Sequence, residues 1–127
     1  MATVLVAADG QWVLDQVRTA LAASDTTVLE VTRGQDVRGA VADYGPDLVI
    51  LDMQIANMGG VAVAIDLHLE SEAGRIPDAK ILLLLDREHD RFLATRADAD
   101  AVLVKPIDAG TLRRTMKQLL AAAPAQA

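Results

Sequence analysis

The sequence predicts one α/β domain with a doubly wound parallel sheet of five strands. Five short apolar runs are typical of strands, at residues 3–8, 27–32, 47–51, 80–85 and 101–104. Three of these runs are apolar at successive positions, as expected for parallel strands covered on both faces. Segments with helical periodicity separate the runs, so strand and helix alternate five times along 127 residues. Right-handed β-α-β crossovers then place helices on both faces of the sheet.

The fourth run needs an argument of its own, because five of its six residues are isoleucine or leucine. Leucine is common in buried helices, so periodicity alone does not separate a strand from a helix here. The run is short, Pro77 precedes it and charged residues follow it from Asp86 onward. Length and flanks therefore favour a strand.

Four helices are predicted from apolar residues spaced three or four apart. The four stripes are Leu14, Val17 and Leu21; Val37, Val41 and Tyr44; Val61, Ile65 and Leu69; and Leu112, Met116, Leu119 and Leu120. Gly45-Pro46 and Gly74 are expected to end the second and third helices, and Asp108 to be the N-cap of the last. Residues 87–96 give a weaker helical signal, with Phe92 and Leu93 as apolar anchors.

Composition excludes several classes of protein. Twelve basic and eighteen acidic residues give a net charge of −6, which disfavours binding to nucleic acid or to an anionic membrane surface. The absence of cysteine excludes disulfides and thiolate chemistry. No apolar run approaches the roughly 18 residues of a membrane span, and no basic segment precedes the first apolar run. We expect a cytoplasmic domain over residues 1–120, a frayed tail at 121–127 and no output domain.

Charged residues follow four of the predicted strands. Asp9, Asp52, Asp86 and Lys105 come at the carboxyl ends of the first, third, fourth and fifth runs. Ligands of open α/β sheets bind outside those ends, so these side chains are expected at one rim. Clustered carboxylates need a cation, and hard oxygen ligands suit Mg²⁺. A lysine suits a phosphoryl oxygen and a carboxylate can be a nucleophile. The pattern predicts metal-assisted phosphoryl transfer to an aspartate.

Three segments carry a family resemblance that covers nearly the whole chain. DLVILDMQIANMGG at residues 47–60 closely resembles the phosphoacceptor strand and loop of response-regulator receiver domains. VLVKP at 102–106 and VLVAAD at 4–9 resemble the fifth and first strand ends of that family. The resemblance implies a flavodoxin-like fold with strand order 2-1-3-4-5.

The resemblance also implies roles for individual residues. Asp52 would be the phosphoacceptor, and Lys105 would contact the phosphoryl group. Asp9, Asp52 and the backbone carbonyl of Gln54 would surround Mg²⁺, with weaker affinity than usual because Ala8 replaces a first-strand acid. The family habit further favours a cis peptide bond at Lys105-Pro106.

Two positions depart from the family's conformational relay. Leu85 stands where a Thr or Ser usually donates a hydrogen bond to the phosphoryl group, and leucine cannot donate one. Val102 replaces the switch aromatic of the fifth strand. Asp86 adds a carboxylate that pairs with Lys105 or repels a phosphodonor.

These observations lead to one main hypothesis and two alternatives. The main hypothesis is an atypical single-domain response regulator of two-component signalling, with a sensor histidine kinase or phosphotransfer protein and a downstream protein target as partners. It is not an enzyme beyond self-catalysed phosphoryl transfer and hydrolysis. The first alternative is a pseudo-receiver that binds a partner constitutively, without phosphorylation. The second is a small phosphohydrolase that uses Asp52.

Simpler roles are also open for two of these residues. One alternative for Asp9 is an N-cap of the first helix, since Asp before a helix is often only a cap. A role for Lys105 as only a structural counter-ion of Asp52 is the less favoured alternative to phosphoryl contact. Trp12 is expected to pack at the start of the first helix.

Overall fold

The computed structural model describes residues 2–22, 25–55 and 58–121. Its strands are β1 Ala2–Ala7, β2 Thr26–Val31, β3 Leu48–Asp52, β4 Lys80–Leu85 and β5 Ala101–Val104. Its α-helices are α1 Gln11–Leu21, α2 Val37–Tyr44, α3 Gly60–Glu72, α4 Arg91–Arg96 and α5 Ala109–Ala121. The strands form one parallel sheet in the order β2-β1-β3-β4-β5. The predicted doubly wound, flavodoxin-like fold is confirmed.

The central strands are apolar throughout because each sends side chains into two separate core layers. The α2–α3–α4 layer contains Leu5, Leu51 and Leu83, packed against those three helices. The α1–α5 layer, on the opposite face of the sheet, contains Ile50 and Leu82, packed against α1 and α5. A strand covered on both faces has no polar side, which explains the continuous apolar runs of β3 and β4.

Strand boundaries differ from the predicted ones by a single residue. β1 ends at Ala7 rather than at residue 8, and β3 runs from Leu48 through Asp52 rather than over 47–51. The extension of β3 has a physical cause, since Asp52 pairs with Leu84 of β4 and remains in the sheet. The backbone of Asp52 is therefore held by strand pairing.

The predicted buried face of α3 is wrong. Ile65 and Leu69 are exposed, and α3 instead buries Gly60, Val63, Ala64 and Leu67. Those four residues also have helical spacing, i, i+3, i+4 and i+7. Small residues face inward because the first turn of α3 lies directly against the backbone of Asp52.

Two aromatic residues that were predicted to face the core also lie at the surface. Tyr44, the last residue of the predicted second stripe, and Phe92, one of the two anchors of α4, both have exposed side chains. Ala94 is the residue that α4 buries. Residue size therefore misled the prediction in both of these short helices.

The predicted helix ends are present. Gly45 and Gly74 have positive φ values of 53° and 76°, where glycine carries no steric penalty. The Asp108 Oδ2 atom accepts hydrogen bonds from the backbone N–H and the hydroxyl of Thr111, at 2.8 and 2.9 Å. These bonds hold the pKa of Asp108 below its ordinary value. The tail predicted at residues 121–127 lies outside the described residues from 122 onward.

Within residues 2–22, 25–55 and 58–121, no helix is both long and apolar enough to cross a bilayer.

Candidate functional site

The four predicted site residues lie at one edge of the sheet. Asp52 is the last residue of β3, and Asp86 and Lys105 directly follow β4 and β5. Asp9 comes two residues after β1, whose last residue, Ala7, pairs with Leu51. Parallel pairing of β1, β3, β4 and β5 thus brings these side chains to the carboxyl ends of adjacent strands.

Asp52 is a buried carboxylate with two different oxygens. The residue is 2% exposed. Its Oδ1 atom accepts a hydrogen bond of 2.6 Å from Lys105 Nζ and one of 3.0 Å from the backbone N–H of Gln54. Its Oδ2 atom accepts no hydrogen bond from any residue that the structure describes. One oxygen is therefore fixed in place and the other keeps its lone pairs available.

Lys105 bridges two carboxylates. Its Nζ atom lies 2.6 Å from Asp52 Oδ1 and 2.9 Å from Asp86 Oδ1. Burial by itself would lower the pKa of Lys105, but the hydrogen bonds and charges of Asp52 and Asp86 outweigh burial and raise it. The ammonium is therefore charged over the whole physiological range. The peptide bond between Lys105 and Pro106 is cis, as predicted.

Asp86 is held from both sides. Its Oδ1 atom contacts Lys105, and its Oδ2 atom accepts a 2.8 Å hydrogen bond from Gln54 Nε2. The hydrogen bond from Lys105, assisted by that from Gln54, lowers the pKa of Asp86 against the opposing effect of partial burial. Of the two roles that the sequence left open for Asp86, the structure has the residue paired with Lys105.

Asp9 is not a helix cap. The N-cap of α1 is Gly10, and no side chain accepts a capping hydrogen bond there. The Asp9 side chain is exposed and makes no hydrogen bond or ion pair with the described part of the chain. Its neighbour Ala8 is fully buried in the α1–α5 layer. The carboxylate of Asp9 is thus available to a ligand from solvent.

The donor set fits a Mg²⁺ ion that keeps several water ligands. Mg²⁺ in proteins is often held by one or two carboxylates, and those of Asp52 and Asp9, the latter unpaired within the described residues, meet that need. The Gln54 carbonyl, two residues after Asp52, would add a third oxygen. Asp86 is unsuited as a further ligand because both its oxygens are engaged. Among the described residues, no three His, Asp or Glu side chains form a metal-holding group.

Two glycines pack closely against the segment that follows Asp52. A Cβ atom on Gly60 would lie 2.4 Å from the carbonyl oxygen of Asp52. On Gly34, in the 3-10 turn Gly34–Asp36, a Cβ atom would lie 2.2 Å from the carbonyl oxygen of Met58. The Gly60 N–H also donates a 3.2 Å hydrogen bond to the Met53 carbonyl. These contacts fix the backbone around Asp52 from two neighbouring segments.

The two predicted relay positions are apolar and packed. Leu85 is fully buried in the α2–α3–α4 layer, and Val102 packs, partly buried, against the same layer. β4 contributes to the site through its backbone, since Leu84 O accepts from Met53 N and Leu85 O accepts from Lys105 N, both at 2.9 Å. Neither Leu85 nor Val102 carries a group that could hydrogen-bond a phosphoryl oxygen.

Sequence reasoning missed two side chains of the site. Only the backbone of Gln54 was predicted to take part, whereas its amide also contacts Asp86. Trp12 was assigned to packing, but it is 54% exposed and its ring centre lies 6.0 Å from Lys105 Nζ. The position of Trp12 three residues after Asp9 is the one signal that could have placed it near this edge.

Comparison with known proteins gives a consistent result. The chain matches the family described as response regulator receiver domain over residues 4–117. An uncharacterized response regulatory protein of Mycobacterium tuberculosis is 36% identical over 98 residues, which cover 77% of this chain and 71% of that protein. Protein PilH of Pseudomonas aeruginosa is 27% identical over 121 residues, which cover 95% and 99% of the two chains.

A solved structure has the same fold. The receiver domain of a sensor histidine kinase from Pseudomonas aeruginosa superposes with a TM-score of 0.83 at 16% identity, over 95% of this chain and 98% of that one. That structure has a magnesium ion coordinated in its active-site cleft.

The fold and the acidic rim with its single lysine define a signalling domain of the two-component type. The match over residues 4–117 and the 36% identical relative make the assignment specific. The chain belongs to the response regulator receiver-domain family.

Proposed function

We propose that this chain is an atypical single-domain response regulator that accepts a phosphoryl group on Asp52. The observation that supports this most directly is the asymmetry of the Asp52 carboxylate. Lys105 and the Gln54 N–H fix its Oδ1 atom, while its Oδ2 atom has no partner among the described residues. A buried carboxylate with one fixed and one free oxygen is oriented to act as a nucleophile.

The chemical step uses a donor with a labile phosphoryl group. Oδ2 of Asp52 attacks phosphorus and forms a new O–P bond as the bond from phosphorus to the donor breaks. The electron pair of that bond leaves with the donor, on a carboxylate oxygen of an acyl phosphate or a ring nitrogen of phosphohistidine. Lys105, charged and close to Asp52, balances negative charge on the phosphoryl oxygens.

The metal would contribute charge. Bound by Asp9, Asp52 and the Gln54 carbonyl, Mg²⁺ supplies a positive charge that offsets the repulsion between the carboxylates and an incoming phosphoryl group. We therefore propose Mg²⁺ as a cofactor, bound weakly because Ala8 stands where the family usually has a second acid.

The proposed role is signalling rather than turnover of a substrate. Receiver domains interact with histidine kinases and downstream effectors. For this chain we propose a histidine kinase or phosphotransfer protein as donor, a protein target as output and a cytoplasmic location. The chemistry of Asp52 would extend to self-catalysed transfer and hydrolysis and no further.

A specific observation favours one alternative, a pseudo-receiver that binds its partner without phosphorylation. Leu85 and Val102 lack the polar groups of a relay, and Lys105 is already neutralised by Asp52 and Asp86. In this alternative Lys105 is a structural counter-ion, and the protein binds its partner without a change in phosphorylation state.

Intact-mass analysis after incubation with acetyl phosphate and Mg²⁺ tests the proposal. We expect one added phosphoryl group on the wild-type chain, none on Asp52→Asn, and wild-type uptake in the matched control Asp36→Asn, which removes an exposed carboxylate that pairs with Arg33. The adduct should be lost in EDTA. No addition over hours in the wild type, or equal addition in Asp52→Asn, would favour the pseudo-receiver instead.

A further inference from the structure

We propose that Asp86, braced by Gln54, is a positioning residue that holds Lys105 away from an incoming phosphoryl group and thereby weakens acceptance at Asp52. This inference rests on the proposed function of Asp52. It assigns a regulatory role to a carboxylate that the transfer step itself does not use.

The argument begins with the hydrogen-bonding capacity of Lys105. An ammonium has three N–H donors. Two are directed to Asp52 Oδ1 at 2.6 Å and Asp86 Oδ1 at 2.9 Å. The Trp12 ring, 6.0 Å from Nζ, lies within the range of a cation–π contact. Release of Asp86 would therefore free a second donor of Lys105 for phosphoryl oxygens, whereas Asp52 is the proposed acceptor itself.

The second step concerns the brace. Gln54 donates through its backbone N–H to Asp52 and through Nε2 to Asp86, at 3.0 and 2.8 Å. Asp52, Lys105, Asp86 and Gln54 thus form a closed ring of four hydrogen bonds. Each member of the ring holds the next, so Gln54 stabilises the contact of Asp86 with Lys105.

The third step separates competition from simple repulsion. Asp86→Asn removes a negative charge near the site and replaces the charged acceptor of the Lys105 hydrogen bond with a weaker, neutral amide oxygen. Gln54→Met removes only the brace, since the side chain is neutral before and after the change and the backbone groups of residue 54 remain. Repulsion alone predicts no effect of Gln54→Met, whereas displacement of Asp86 from Lys105 predicts an effect in the same direction as Asp86→Asn.

The test measures binding of beryllofluoride, a phosphoryl mimic, in the presence of Mg²⁺. Trp12 fluorescence reports binding, and calorimetry provides a second measurement. We expect affinity to increase about tenfold in Asp86→Asn and several-fold in Gln54→Met, consistent with loss of one charge-assisted hydrogen bond. Glu88→Gln is the matched control, because it removes an exposed carboxylate that lies two residues after Asp86 and pairs with Arg91. Its affinity should remain within about twofold of the wild type.

Three outcomes are distinguishable. Tighter binding in both variants but not in the control supports the inference. Unchanged binding in Asp86→Asn and Gln54→Met, with saturable binding in the wild type, overturns it and leaves the proposed function intact. No binding in any variant overturns the proposed function and the inference together. Urea midpoints of all four proteins verify that each variant is folded.

Discussion

Single residues at this site are constrained mainly by the space around their backbone. The first turn of α3 lies so close to Asp52 that a Cβ atom at Gly60 would sit 2.4 Å from a carbonyl oxygen. Gly39, within α2, has no atom near its virtual Cβ. The same substitution at these two glycines should therefore have opposite effects.

We expect Gly60→Ala to lower the free energy of unfolding by roughly 1–3 kcal/mol, because backbone must move to relieve the overlap. Gly39→Ala should raise it by about 0.5–1 kcal/mol, since alanine favours a helix and restricts the unfolded chain. Urea denaturation of both variants measures the difference. Equal effects of the two substitutions would contradict the close packing of α3 on β3.

The residues of the site were predictable to different degrees. Asp9, Asp52 and Lys105 could be placed because parallel strands bring their carboxyl ends together. The sequence could not decide whether Asp86 pairs with Lys105. A carboxylate after β4 is equally consistent with attraction to Lys105 and with repulsion of a phosphodonor. The sequence could not predict the hydrogen bond from the Gln54 side chain to Asp86, because that contact depends on the turn that follows Asp52.

At the level of elements, α3 shows that the size of an apolar residue does not predict its burial. Leu67 is 4% exposed and packs in the α2–α3–α4 layer, whereas Leu69, two positions later, is 60% exposed. Leu67→Ala should lower the free energy of unfolding by about 2–5 kcal/mol through the cavity it leaves. Leu69→Ala should change it by no more than about 0.5 kcal/mol.

Thermal or urea unfolding of this matched pair tests which face of α3 is inward. A larger loss for Leu69→Ala than for Leu67→Ala would restore the face that the sequence predicts. The sequence misled here because Ile65 and Leu69 are large, whereas the real contact face begins with glycine and includes alanine. Strands β4 and β5, by contrast, were predicted at their observed bounds, because each is a short apolar run with polar residues on both sides.

In the whole molecule, the two core layers share the same strands. Neighbouring residues of β3, such as Ile50 and Leu51, point into opposite layers. If the packing of one layer is lost, the strands that also form the other layer are destabilised. We expect one cooperative urea transition, with the same midpoint by Trp12 fluorescence and by far-ultraviolet circular dichroism. Midpoints that differ between the two probes would indicate that α1 separates from the sheet first.

The overall topology was only partly accessible from physical reasoning. Alternation of strands and helices and the handedness of crossovers indicate a parallel, doubly wound sheet. They leave several strand orders open, and the order 2-1-3-4-5 came from the resemblance of residues 4–9, 47–60 and 102–106 to receiver domains. Among the strand orders that remain, contacts between side chains remote in sequence select the one that forms.

The contact between Gly34 and Met58 limits how the protein can diverge. The atom closest to a virtual Cβ at position 34 is the carbonyl oxygen of Met58, a group that every amino acid carries. A larger residue at position 34 therefore has no compensating exchange at position 58, whatever side chain arises there. We therefore expect that a larger residue at position 34 requires a rearranged backbone after Asp52, and with it a changed geometry at the site.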